Sequence, residues 1–224
     1  MKKLLISLLV VMTLFLVGCK KEENKEGIAF KESYEKLNGT TNKSGKEHRT
    51  VHINDDNPFV MTTPEEIVKM IENKETFYLY VGDPLCPCCR SAIEKATEIA
   101  TKKNVKKVYA FEIWDDEGNE ILRDKYEMVD GKLKKTIEGT ESYKKLLETC
   151  NDVIRDYNIT DGDKEVSTGE KRIYAPNYFY IEKGVAKKMI AGYSDLQKDS
   201  REELTKEMLE DEEKAFSEFF DLMK

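Results

Sequence analysis

Histidine is nearly missing from this chain: of 224 residues only His48 and His52 carry an imidazole, both in a polar N-terminal stretch. Histidine-based acid–base catalysis and a histidine-built metal site are therefore poor readings. Tryptophan occurs once, at Trp114, read as core or strand end rather than a substrate platform. A concentrated basic stripe is lacking too, because 37 Lys and Arg are interspersed with 44 Asp and Glu, for a net charge of −7. Nucleic acid is not an expected partner. The apolar run from Leu4 to Val17 is shorter than the roughly 20 residues a helix needs to cross a bilayer. What is present is 39% apolar and 36% charged residue content, in a length that suits one domain with additions. Five cysteines stand out, and three of them crowd into four positions.

Met1-Lys2-Lys3 and the apolar run after it read as a secretory signal peptide. The run ends in Leu16-Val17-Gly18-Cys19, which resembles the lipobox of bacterial lipoproteins. That resemblance implies removal of residues 1–18 and acylation of Cys19. Each buried CH₂ contributes about 0.8 kcal/mol, so two or three chains would hold the protein stably on the extracytoplasmic face of a bacterial cell membrane. Residues 19–57 are polar with almost no apolar periodicity, and are expected to be a flexible tether.

The domain is expected over 58–224. Thr63-Pro64-Glu65-Glu66 combines a cap, a proline at the first helical position and a capping box, and Ile67, Val68, Met70 and Ile71 follow as one apolar face. Phe77 to Val81 is an uncharged run of β-formers, as in a buried strand. Gly82-Asp83-Pro84 breaks it, and Pro87 opens a helix with Ala92, Ile93, Ala96, Ile99 and Ala100 inward. Val105 to Trp114 reads as a second strand. Asn177–Ile181 and Val185–Tyr193 form a hairpin around Gly184, and Ser200-Arg201-Glu202-Glu203 looks like a capping box opening a last helix. The stretch 115–171 reads as a mainly helical insertion. Tyr143, Leu146, Leu147, Cys150, Val153, Ile154 and Tyr157 recur at helical spacing, and Ile121, Leu122 and Val129 suggest another helix. The fold class is α/β: a central mixed sheet flanked by helices.

Cys86-Pro87-Cys88-Cys89 carries the chemistry. Cys86 and Cys89 form a C-x-x-C pair where a strand ends and a helix begins. Free N–H groups and the helix dipole favour negative charge there, so Cys86 is expected to ionise below the ordinary thiol value of about 8.5. A thiolate attacks disulfides, and a second thiol three residues on resolves the mixed disulfide. Pro87 suits the first helical position, and Arg90 adds a positive charge nearby. No organic cofactor is needed, since the electrons reside in sulfur.

With the strand Phe77 to Val81, the Cys86-Pro87-Cys88-Cys89-Arg90 helix start, Ala175-Pro176 and the Gly184 hairpin, the chain resembles thioredoxin-fold proteins. That resemblance implies a cis-proline at Pro176 facing the redox pair, with Ala175 offering backbone hydrogen bonds to a substrate chain. Tyr80 to Arg90 is similar to the thioredoxin-like bacteriocin transport accessory proteins. It departs from thioredoxins in having Leu85 before the first cysteine, Pro87-Cys88 between the pair, and Tyr80 where they bury an acid. The expectation is a lipid-anchored thiol–disulfide oxidoreductase acting on thiols or disulfides of exported proteins or peptides, with a redox partner for recycling.

Two cysteines stay ambiguous at this level. Cys88 reads as a spare thiol, a rival resolver or a soft-metal ligand; Cys150 reads as inert packing, or as a disulfide partner of Cys88. Cu(I) or Zn(II) binding by Cys86, Cys88 and Cys89 is the alternative function, and an adaptor using the insertion as its interface is a third.

Overall fold

The computed structural model describes residues 24–223. The expected leader at 1–18 and Cys19 lie outside the described residues. Among the described residues, no helix is long and apolar enough to cross a membrane.

The expected tether is folded over the part described. Helix α1, Lys25–Glu35, is capped by the Asn24 side chain and buries Phe30 and Tyr34. Val51 and Ile53 are buried behind it. The segment looks polar because these four side chains are widely spaced, yet all reach the core. Its backbone is held by side chains rather than by a sheet. Asn38 bonds both main-chain groups of Val51, and Glu35 accepts from the Ile53 N–H at 2.8 Å. Gly27 is required where α1 meets the next strand, since a Cβ there would lie 2.5 Å from the Asn57 carbonyl oxygen.

Strands β1 (Phe59–Met61), β2 (Phe77–Gly82), β3 (Val108–Glu112), β8 (Asn177–Glu182) and β9 (Val185–Ile190) form one sheet in the order β1-β3-β2-β8-β9. β1 and β2 run parallel to β3, whereas β8 is antiparallel to both β2 and β9. Alternation along the strands divides the core in two. Tyr78, Tyr80, Val108, Ala110, Tyr178 and Tyr180 face α1, helix α3 (Pro87–Lys102) and helix α5 (Lys206–Phe219). Phe77, Leu79, Val81, Phe111 and Phe179 face helix α2 (Pro64–Glu72) and helix α4 (Glu141–Cys150). The result is a three-layer α/β arrangement with a mixed sheet. Helix α2 has the capping box expected at Thr63 and Glu66, and Pro87 is the first residue of α3.

The insertion is not mainly helical. It holds one helix, α4, between two hairpins: β4 (Lys125–Val129) with β5 (Lys132–Ile137), and β6 (Arg155–Asp161) with β7 (Lys164–Arg172). Asp130 and Gly131 both adopt positive φ at the first turn, as a two-residue hairpin requires. The Asp130-Gly131 pair therefore outweighs the apolar spacing of Ile121, Leu122 and Val129. α4 stops at Cys150, so Val153, Ile154 and Tyr157 belong to a turn and to β6. A buried ion cluster ties the start of this region to its end: Glu120 pairs with Arg123 at 2.6 Å and with Arg172 of β7 at 3.2 Å. The last helix starts later than expected. Thr205 caps it, while the Glu202 carboxylate folds back onto the Lys198 and Asp199 N–H groups. Met208, Phe216 and Phe219 of this helix are buried, whereas Leu209 is exposed.

Candidate functional site

Cys86 is the N-cap of α3. Its Sγ accepts from the Cys89 N–H at 3.4 Å and donates to the Ala175 carbonyl oxygen at 3.5 Å. The Cys86–Cys89 pair approaches to 3.1 Å, and the peptide bond between Ala175 and Pro176 is cis. Six of the expected site residues, Cys86, Pro87, Cys88, Cys89, Ala175 and Pro176, thus meet at the carboxyl end of β2. Cys86 is 5% exposed and Cys89 fully buried, while Cys88 is half-buried and lines a cleft beside Ala175 and Pro176. All four described cysteines are free thiols. Cys150 packs in the core on the other side of the sheet, so it is not joined to Cys88. Burial pushes its thiol up to about 12.

The expected acidification of Cys86 does not hold for this dithiol. Its largest single influence, a hydrogen bond from the Cys88 thiol, favours the thiolate. The Cys89 thiol, burial and charge on Cys89 oppose it, and the net push is well upward. Cys88 is also pushed up, first by its bond to Cys86 and then by burial. The magnitudes explain the outcome. A helix terminus is worth roughly 0.3–1 kcal/mol, and it is opposed first by the Cys89 thiol and then by burial, which alone can shift a group by up to about 3–5 pKa units.

Arg90 does not face the sulfurs. Its buried guanidinium donates to the carbonyl oxygens of Arg49 (2.7 Å), Tyr34 (2.9 Å) and Pro84 (3.3 Å), and to Asn38 Oδ1 (2.7 Å). It is a clamp between the N-terminal segment and the thiol loop.

Several site residues escape a reading of the sequence. Asp83 is buried, accepting from the Leu85 N–H at 2.9 Å and the Trp114 N–H at 3.0 Å, so it holds the thiol loop against the end of β3. Burial raises its carboxyl to about 6 despite those bonds. It looks like an ordinary turn residue in Gly82-Asp83-Pro84. Behind the thiols, Tyr34 and Tyr80 share a hydroxyl hydrogen bond of 2.6 Å, and Tyr80 stacks on Tyr178 with ring centroids 4.6 Å apart. Burial holds all three phenols well above their ordinary value.

Glu212 is fully buried on α5, and neither carboxylate oxygen has a hydrogen-bond partner among the described residues. The Ser194 N–H approaches but falls short of full hydrogen-bond geometry. The available signal was spacing: Met208, Glu212 and Phe216 sit four apart on the buried face. Burial raises its carboxyl from 4.5 to about 7. The unfolded chain ionises from about pH 4.5 and the folded one only near 7, so this residue erodes stability as pH rises between the two. Glu212→Gln is expected to stabilise the protein by on the order of 2–3 kcal/mol at pH 8 and by nothing measurable near pH 4. Urea denaturation at both pH values checks this; an equal gain at both would refute the ionisation argument.

Among the described residues, no group of three or more His, Cys, Asp or Glu side chains is arranged to hold a metal ion. Chemically, the arrangement offers two adjacent thiols that a shift of about 1 Å would bring to the 2.05 Å of a disulfide bond. A scan against protein-family models finds no match for the chain, and neither does a search of curated proteins.

Proposed function

We propose that the protein is a thiol–disulfide oxidoreductase of thioredoxin-like fold, with Cys86 as attacking thiol and Cys89 as resolving thiol. The observation that carries the reading is the meeting of three elements: the Cys86–Cys89 pair at a strand–helix junction, the Ala175 carbonyl against Cys86 Sγ, and the cis Ala175–Pro176 bond. The sheet order, with β2 between a parallel and an antiparallel neighbour, agrees with that fold. The lipobox-like Leu16-Val17-Gly18-Cys19 supports a lipid-anchored, extracytoplasmic location, and so exported proteins or peptides as substrates. A partner then recycles the pair.

The test is equilibration against glutathione buffers, followed by thiol trapping and mass spectrometry of the Cys86–Cys89 peptide. A two-electron transition at this pair is expected, nearer thioredoxin at about −270 mV than a strong oxidant at about −120 mV. Strong oxidants gain their potential from a stabilised thiolate, and the Cys89 thiol together with burial denies Cys86 that stabilisation. A pair that stays dithiol across the whole range sinks the assignment.

A further inference from the structure

The stretch 37–48 of the N-terminal segment and the turn 114–118 enclose a cavity of about 430 Å³, within the size range of small-molecule sites. None of the four described cysteines lines it. Half-buried Leu37, Leu85 and Trp114 supply its apolar surface. Its walls are tied to one another. The Asp83 carboxylate accepts from the N–H groups of both Leu85 and Trp114, at 2.9 and 3.0 Å. Asp115 holds the turn by accepting from the Glu117 and Asn119 N–H groups, and Lys36 of the segment pairs with Asp116 of the turn at 3.1 Å.

His48 is the group left without a partner. It lines the cavity and is only 6% exposed, yet neither ring nitrogen has a hydrogen-bond partner among the described residues. Its main-chain N–H bonds the Thr40 carbonyl oxygen at 3.0 Å, which fixes the residue in place. Burial and the charges of Arg90 and Arg201 hold the imidazole toward its neutral form. A neutral imidazole offers one N–H donor and one acceptor nitrogen. Buried polar groups normally have a partner, so an unused pair of this kind points to a ligand.

We infer that this cavity binds a small, uncharged aromatic molecule bearing a hydroxyl group, a phenol in the simplest case. Trp114 selects the ring, since aromatic groups pack against an indole edge-on or offset, and Leu37 and Leu85 complete the apolar surface. His48 selects the hydroxyl, because an O–H both donates and accepts. Net charge is not selected: Lys43 offsets Glu117 in the lining, and Asp116 is already paired with Lys36. No sulfur takes part, so the site stands apart from the thiol chemistry.

Trp114 is the chain's one tryptophan, so its emission reports on the cavity directly. The protein is titrated with 4-methylphenol and with toluene, which differ by the hydroxyl alone. A saturable change in emission is expected with 4-methylphenol, with a Kd of roughly 1 mM or tighter. Toluene is expected to bind about tenfold more weakly, the upper range for one hydrogen bond. His48→Phe keeps a ring of similar bulk and removes both polar atoms; it is expected to reduce the preference to about twofold or less. A response to 4-methylphenol that never saturates overturns the site. Equal affinities for the two probes overturn the choice of ligand, and a preference retained in His48→Phe overturns the part given to His48. The first two outcomes need no variant, so they decide the matter even where His48→Phe does not fold.

Discussion

A Cys86→Ser protein is expected to exchange disulfides only at the uncatalysed background rate. The hydroxyl would keep the polar contacts at the head of α3, accepting from the Cys89 N–H and donating to the Ala175 carbonyl, so the fold should survive. It cannot supply the sulfur anion that attacks a disulfide. Cys89→Ser differs in kind: attack proceeds, the resolving thiol is gone, and a mixed disulfide with the substrate accumulates for detection by mass. Exchange retained by Cys86→Ser would remove the residue from its role. The pH dependence tests the electrostatics separately. With the Cys86 thiol raised by its sulfur neighbour and by burial, alkylation of Cys86 by iodoacetamide is expected to keep accelerating through pH 9. An exposed thiol is half ionised near about 8.5. Half-maximal alkylation below pH 7 would show that the helix terminus, not burial, controls this sulfur.

Arg90→Ala is expected to cost about 4 kcal/mol or more, since it strands three carbonyl acceptors and removes a charged donor set from the interior. For a domain of this size that corresponds to a fall of roughly 10 °C or more in Tm. The cost exceeds that of an ordinary core truncation because of what Arg90 joins: its four bonds reach Tyr34, Asn38 and Arg49 in the N-terminal segment and Pro84 in the thiol loop. Arg90→Lys should recover less than half of the loss, as an ammonium lacks the planar fork that reaches all four acceptors. Thermal melts of both variants provide the check; a change in Tm of only a degree or two would mean that the N-terminal segment is held by Phe30, Tyr34, Val51 and Ile53 alone. A positive charge beside two cysteines looks like an electrostatic aid to ionisation. Its hydrogen bonds decide otherwise, because they turn the guanidinium toward carbonyl groups of the N-terminal segment and of the thiol loop rather than toward the sulfurs.

Periodicity and punctuation determined β2, β3, β8 and β9, the start of α3 at Pro87 and the cysteine pair at its head, whereas the three-residue β1 was too short to be read and the proline opposite was implied by the resemblance to thioredoxin-fold proteins. These are local signals: alternation, capping and φ restriction act within a few residues. Residues 25–57 defeated such a reading because their few apolar side chains are far apart in the chain and become a cluster only against α3 and the sheet. The insertion defeated it because a two-residue turn at Asp130-Gly131 competes with helical spacing, and pairing between β4 and β5 settles the contest. Thiol acidity was beyond the sequence for the same reason. A helix terminus can be seen in a motif, whereas the contact with the Cys89 thiol and the burial that outweigh it depend on how the folded chain packs around Cys86. Burial is a property of three-dimensional neighbours; it governs Asp83 and Glu212, and at Cys86 it adds to the upward push of the Cys89 thiol.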